Sequence, residues 1–267
     1  MNPTRVALLD GGSLAIDGHK IYWNRGPAGD IRFPVYTALV EHNDGLFLYD
    51  AGFGLEHMQQ FVPQDHPIQS AEQTLPAQLA KVGYKPEDVT HLVLSHLHID
   101  HCGEANLFPR AKVVCHEMEY EQAQHPELFE RGSYGAVRYF APWLVRDWQE
   151  LPPEVDAEFL PEFQLLRGDV EFAPGVWLYE TLGHSAGHYS MLVELAGRRP
   201  MLFTGDAAMT PKNLEMMVVG GFHLDPVAGT RSLQRLKDLA EEHDAELFFS
   251  HSMPEFENWK KAPEWYE

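Results

Sequence analysis

The chain alternates short apolar runs with clusters of turn-forming residues. Runs of about four to eight residues rich in Val, Ile, Leu, Tyr and Phe, bounded by Gly, Pro, Asp or Ser, predict β-strands. They fall at Arg5–Leu9, Val35–Glu41, Leu46–Tyr49, Val89–Leu94, Lys112–Cys115, Val176–Thr181, Tyr189–Leu195, Pro200–Phe203 and Glu246–Phe249. Helical spacing interrupts them. One helix is expected from about Thr74, with Pro76 in its first turn, Gly83 closing it, and Leu75, Leu79 and Val82 on one face. A second covers roughly His116 to Gln124. A third runs from about Thr230 to Glu242 with Leu233, Leu236 and Ala240 on its buried stripe. The stretch 126–161 is rich in aromatic, charged and Pro residues and reads as a helical insertion over a sheet edge. Strands in two groups with helices outside predict an α/β (α+β) fold, a four-layer αββα sandwich. With no linker evident, residues 1–267 read as one domain.

Composition narrows the function. A chain of 267 residues that is 44% hydrophobic and 12% aromatic can bury a large core. Its net charge of -20 argues against nucleic acid and against anionic membrane surfaces, both of which call for Lys and Arg. A small-molecule substrate and a solvated acidic surface fit better, and a homodimer is compatible with this frame. Cys102 and Cys115 are the two cysteines, too few for a disulfide framework, which points to a reducing compartment. Cys102 follows His101 directly and reads as a small buried apolar residue. No basic-then-apolar leader and no membrane-length apolar run stand in the chain, so a cytoplasmic location is expected.

The chemistry concentrates in seven residues. His96, His98, Asp100 and His101 lie within six positions, and His184, Asp206 and His251 follow far downstream, each after an apolar run and beside a Gly or Ser. A loop lets near neighbours converge, so His96 and His98 can serve one metal while Asp100 and His101 serve a second. His184 completes the first set and His251 the second. Asp206 has two oxygens and can bridge both. Imidazole with a minority of carboxylate suits two divalent ions, zinc first, with iron, cobalt and manganese compatible. A hydroxide held between cations about 3.5–4 Å apart is a strong nucleophile at neutral pH. A closed structural zinc site has four ligands, many of them thiolates, whereas this set has seven and none.

The run His96-Leu97-His98-Ile99-Asp100-His101, with His184, Asp206 and His251 in that order, resembles the metallo-β-lactamase superfamily over essentially the whole chain. The resemblance implies the αββα fold and a binuclear hydrolytic centre. Val82-Gly83-Tyr84-Lys85-Pro86-Glu87-Asp88 and Gly183-His184-Ser185-Ala186-Gly187-His188 are similar to N-acyl homoserine lactonases, as is the stretch from Gly168-Asp169 through Pro174-Gly175-Val176. Trp23-Asn24-Arg25-Gly26-Pro27 and Phe222-His223-Leu224-Asp225-Pro226 also resemble 4-pyridoxolactonases. One position departs. Many of these lactonases carry a Tyr three residues after the bridging Asp, where this chain has Met209, whose thioether cannot donate a hydrogen bond.

The expected activity is opening of a lactone ring by a metal-bridging hydroxide, with an N-acyl homoserine lactone as substrate and quorum quenching as the outcome. A 4-pyridoxolactonase of vitamin B6 degradation and a glyoxalase II-like thioester hydrolase are the alternatives. Asp100, the one carboxylate of the set that does not bridge, is expected to pass a proton to the leaving oxygen. By resemblance, Asp50 orients a ligand His through its free ring N–H, although an Asp before Ala-Gly is also an ordinary turn residue. His188 reads as a supporting or core residue rather than a ligand. Trp23, Phe33, Met209, Met216 and Phe222 are expected to wall the substrate pocket, with His223 as a donor in place of the missing Tyr.

Overall fold

The computed structural model describes residues 4–134 and 163–267. Eleven strands form two mixed sheets among the described residues. The first has the order β1-β2-β3-β4-β5-β6, from β1 (Arg5–Asp17), β2 (Asp30–His42), β3 (Gly45–Tyr49), β4 (His91–Val93), β5 (Lys112–His116) and β6 (Phe163–Leu166). The second has the order β11-β10-β9-β8-β7, from β7 (Val170–Ala173), β8 (Val176–Glu180), β9 (Tyr189–Val193), β10 (Met201–Phe203) and β11 (Glu246–Phe248).

Side-chain alternation builds the layers. Successive residues of a strand face opposite ways, so a strand covered on both sides reads as a continuous apolar run. Val6 and Leu8, Ala38 and Val40, and Phe47 and Tyr49 point inward and meet Leu178, Met191, Val193, Met201, Phe203 and Phe248 of the second sheet. Their neighbours Ala7, Leu9, Leu39, Leu46 and Leu48 point outward and pack against Leu75 and Leu79 of helix α1 (Leu75–Lys81). On the far side, Leu192 and Leu202 pack against Leu233, Leu236 and Leu239 of helix α2 (Pro226–Glu242). The result is the αββα sandwich.

Most of the expected elements are present with shifted ends. Helix α2 begins four residues earlier than its apolar stripe suggests. Asp225 accepts hydrogen bonds from the backbone N–H groups of Val227 and Ala228, and Pro226 occupies the first turn. Its buried stripe uses Leu239 rather than Ala240, which is only partly covered. β6 and β7 were not expected; both are edge strands of four residues, too short for an alternating pattern to show, and the exposed Gln164 and Leu165 of β6 face opposite ways. Of the expected insertion, residues 126–134 form turns instead of helix because Glu130 and its neighbours close short loops back onto Glu127. The remainder, 135–161, lies outside the described residues. No helix among the described residues is long and apolar enough to cross a membrane.

The loop after β8 is seated by a close approach. Gly183 has φ +121°, and a Cβ there would stand 2.2 Å from the backbone nitrogen of Gly229 in helix α2. Gly183→Ala is therefore expected to destabilise the protein by about 2 kcal/mol or more, since strain at positive φ adds to the collision. Denaturant titration measures it; a midpoint equal to the parent's would show that the loop seats elsewhere.

Candidate metal centre

The seven residues arrive from four strand ends. His96 and His98 follow β4, and Asp100 and His101 lie in the single helical turn Ile99–Cys102. His184 stands between β8 and β9. Asp206 follows β10 in the turn Gly205–Ala207, and His251 lies just past β11. All are buried except Asp100, whose side chain is partly open.

Their donor atoms converge in three overlapping groups, His96/His98/His184, His96/His101/Asp206 and Asp100/His101/His251, each within 4.8 Å. Asp206 lies between the outer two. Its Oδ1 is 3.3 Å from His101 Nε2 and 3.1 Å from His251 Nε2, while its Oδ2 is 3.4 Å from His184 Nε2. Asp100 Oδ2 is 3.4 Å from His251 Nε2. His98 Nδ1 and His184 Nε2 face each other at 3.0 Å.

The arrangement fits cations. His96 Nε2 and His101 Nε2 are buried and have no hydrogen-bond partner, and buried polar atoms seldom stay unsatisfied. The opposite ring nitrogens are anchored. His101 Nδ1 lies 2.8 Å from Asp50 Oδ2, and His251 Nδ1 donates to the Pro34 carbonyl at 3.0 Å. Asp50 also accepts from the Ser95 backbone N–H at 2.7 Å and from its hydroxyl at 2.9 Å. Ser95 Oγ is then free to accept from His96 Nδ1, 2.9 Å away. These bonds put the N–H on Nδ1 and leave the Nε2 lone pairs turned to the centre.

His188 holds the carboxylate through the backbone. Its Nε2 accepts from the Asp206 N–H at 2.9 Å, and burial pushes its pKa down to about 3, so the ring is neutral. Nδ1 then donates to Thr181 Oγ1 at 2.8 Å, Thr181 to Ser190, and Ser190 to the Thr204 carbonyl. Ser250 Oγ donates to Asp206 Oδ1 at 2.7 Å. Neither Ser250 nor the buried Glu119 was expected in the site. A Ser after an apolar run carries no signal of its own, and Glu119 is one of three glutamates in a short polar helix.

The imidazoles divide electrostatically. Burial lowers the pKa of His96, His98 and His184 and keeps them neutral. Burial opposes charge on His101 and His251 too, but Asp100 and Asp206 outweigh it and raise both pKa values. Burial alone would protonate Asp206, yet His251, His101 and His184 hold it well below the ordinary carboxylate range.

A cavity of about 350 Å³ opens on Asp100, Asp206 and His251. Phe33, Met209 and Phe222 line it, joined by Leu14, Ile16, Ile21, Met58 and Val62, with Lys20, Gln64 and Asp65 as polar groups. The structure places three expected wall residues elsewhere. Trp23 is 45% exposed and Met216 41%, both turned to solvent. His223 packs edge-on against the back of His184, ring centres 4.9 Å apart, and does not line the cavity. Sequence could have pointed to Leu14 and Ile16 through their alternation, but not to the hairpin that carries them over the site.

In the metal-free protein, Asp206→Asn is expected to move the imidazole titrations of His101 and His251 to lower pH, because it removes a carboxylate that raises both. Histidine-resolved NMR titration reads the shift; unchanged curves would place the controlling charge elsewhere.

Comparison with known proteins agrees with this geometry. The model of the metallo-beta-lactamase superfamily matches residues 30–251. N-acyl homoserine lactonase AttM of Rhizobium radiobacter is 33% identical over 275 residues, covering 100% of this chain and 100% of that protein. A solved N-acyl homoserine lactone hydrolase, with N-hexanoyl-L-homoserine bound at its catalytic metal centre, superposes with a TM-score of 0.80 at 26% identity, covering 100% of both chains. A Bacillus thuringiensis AiiA variant with N-decanoyl-L-homoserine bound gives the same score, identity and coverage. Gathered donors, sandwich layers and matched sequence lead to one conclusion: the chain belongs to the metallo-β-lactamase superfamily.

Proposed function

We propose that this protein is a binuclear-metal lactonase that opens N-acyl homoserine lactones. The observation that carries the reading is the meeting of two donor sets, sharing Asp206, with a cavity walled by apolar side chains. Relatives that span the whole chain are N-acyl homoserine lactonases, which supports the substrate class. His96, His98 and His184 with one oxygen of Asp206 would hold one ion; Asp100, His101 and His251 with the other oxygen would hold the second. Five imidazoles, two carboxylates and no thiolate suit zinc. Bound there, the ions supply Lewis acidity and a water of lowered pKa.

The chain's own groups do the rest. Ring opening forms a bond from the water oxygen to the carbonyl carbon and breaks the ring C–O bond, and the departing alkoxide needs a proton. Asp100 lines the cavity and is not the shared carboxylate, so it would take up the proton released by the attacking water and pass it to the departing alkoxide. Phe33, Ile16, Met58 and Val62 offer the acyl chain a dry wall. Met209 lies in the same wall and contributes contact but no hydrogen bond.

Asp100→Asn is expected to lower kcat by about 10²-fold or more, the usual range for losing a positioned proton donor. Metal analysis accompanies the assay, and a variant holding both ions at full turnover would remove Asp100 from proton transfer. Purified protein of known metal content should open acyl homoserine lactones faster than 4-pyridoxolactone, a simple γ-lactone, a glutathione thioester or a β-lactam. Each CH2 added to the acyl chain should raise kcat/KM by up to about fourfold until the wall is filled, from about 0.8 kcal/mol per buried CH2. Faster turnover of the thioester or of 4-pyridoxolactone would overturn the substrate assignment.

A further inference from the structure

One fully buried carboxylate takes no part in the chemistry described so far. Glu119 lies in the first turn of the helix Glu117–Gln124 and is 0% exposed. A carboxylate in that position is stable only with donors around it. Its Oε1 accepts from the Leu97 backbone N–H at 2.9 Å and from the Tyr134 hydroxyl at 3.1 Å. Its Oε2 accepts from the Gly187 backbone N–H at 3.0 Å. Leu97 stands between His96 and His98, and Gly187 lies three residues after His184. Each oxygen therefore grips a different ligand loop, and the rigid carboxylate sets the width between them.

The surroundings are built for that grip. A Cβ on Gly187 would lie 2.4 Å from the Glu119 nitrogen and 2.7 Å from His116 Nδ1, so only Gly allows the loop this close. His116 caps the helix by accepting from the Met118 N–H at 3.1 Å, and its Nε2 stands 2.7 Å from Glu180 Oε1 at the end of β8. The Tyr134 ring packs against His98 with centres 4.9 Å apart. Asp50 and the Pro34 carbonyl brace His101 and His251 of the other donor set, Asp50 reaching His96 only through Ser95, and Glu119 hydrogen-bonds to no member of that other set.

We infer that Glu119 is a positioning residue that fixes the spacing of the His96, His98 and His184 set and thereby the affinity of that set alone for its ion. The inference rests on the two-metal reading above. In Glu119→Gln, volume is kept, but the amide turns a donor toward either Leu97 or Gly187, and one link is lost. Zinc competition against a chromophoric chelator on the full-length protein yields the two affinities, and His184→Ala identifies which belongs to the first set. Glu119→Gln should weaken that affinity by about ten- to a hundredfold, the usual effect of losing a ligand's support, and leave the other unchanged. Cobalt(II) absorption should change for the same ion only. Both affinities equal to the parent's, or both reduced alike, would overturn the inference, since a general loss of stability does not select one ion. Should Glu119→Gln fail to fold, Tyr134→Phe decides: about two- to tenfold weakening of the first affinity, one hydrogen bond's contribution, is expected, and no change overturns it. A parent protein that binds two ions but opens no lactone removes the substrate assignment and leaves the clamp standing; one that binds no ion removes the clamp as well.

Discussion

The Asp206 carboxylate is the constraint on which the centre depends. A buried anion without partners costs several kcal/mol, and this one is surrounded by His101, His184 and His251 and by the Ser250 hydroxyl. Its two oxygens face opposite donor sets. Without it the two sets would be separate clusters, one of imidazoles neutral by burial and one held by Asp100 alone. The raised pKa values of His101 and His251 and the depressed one of Asp206 express their mutual attraction, to which Asp100 adds on the imidazole side. In the metal-loaded state cations take the place of those protons.

The sandwich serves that carboxylate. β10 and β11 run parallel and deliver Asp206 and His251 from neighbouring ends, while β4 delivers the His96–His101 segment from the other sheet. Because both faces of the central strands are buried, a one-residue slip would exchange the two faces and move the ligand loops. The inward layer of Tyr49, Val93, Val114, Phe203 and Phe248 thus fixes the register of the loops as well as the core. The β1–β2 hairpin continues past the sheet, and its tip supplies Leu14, Ile16 and Phe33 to the wall of the cavity beside the donors.

Much of this was legible in the order of residues. Strands covered on both faces produce unbroken apolar runs, so the central strands stood out, as did the donors at their ends. β6 and β7 did not, because an edge strand of four residues is too short to be told from a loop. The donor set was legible because metal chemistry restricts residue type. Two of the supports, Asp50 and His188, were legible by resemblance and two were not: Glu119 reaches Leu97 across 22 positions and Ser250 reaches Asp206 across 44, and neither residue type is distinctive. The wall was half legible. Aromatic and Met side chains are equally suited to a core, a pocket and a surface, so Phe33 and Phe222 could not be told apart from Trp23 and Met216 until the backbone was in place.

Three of the supports share one feature that separates the shape of the centre from its chemistry. Asp50 holds the Ser95 N–H, Glu119 the Leu97 and Gly187 N–H groups, and His188 the Asp206 N–H. All three bind backbone next to or within the ligand positions. A loop held through its main chain keeps its course whatever side chain it presents, whereas a loop held through the ligands alone would collapse when one was changed. Ligand identity can then vary with the chemistry while the loops stay where Asp50, Glu119 and His188 put them. The cavity wall is tied to the centre as well: Phe33 packs against His251 with ring centres 4.5 Å apart, and the Met209 carbonyl accepts from the His251 N–H at 2.9 Å. A wall residue such as Met209 therefore bears on two things at once, the shape of the cavity through its side chain and the seat of His251 through its carbonyl.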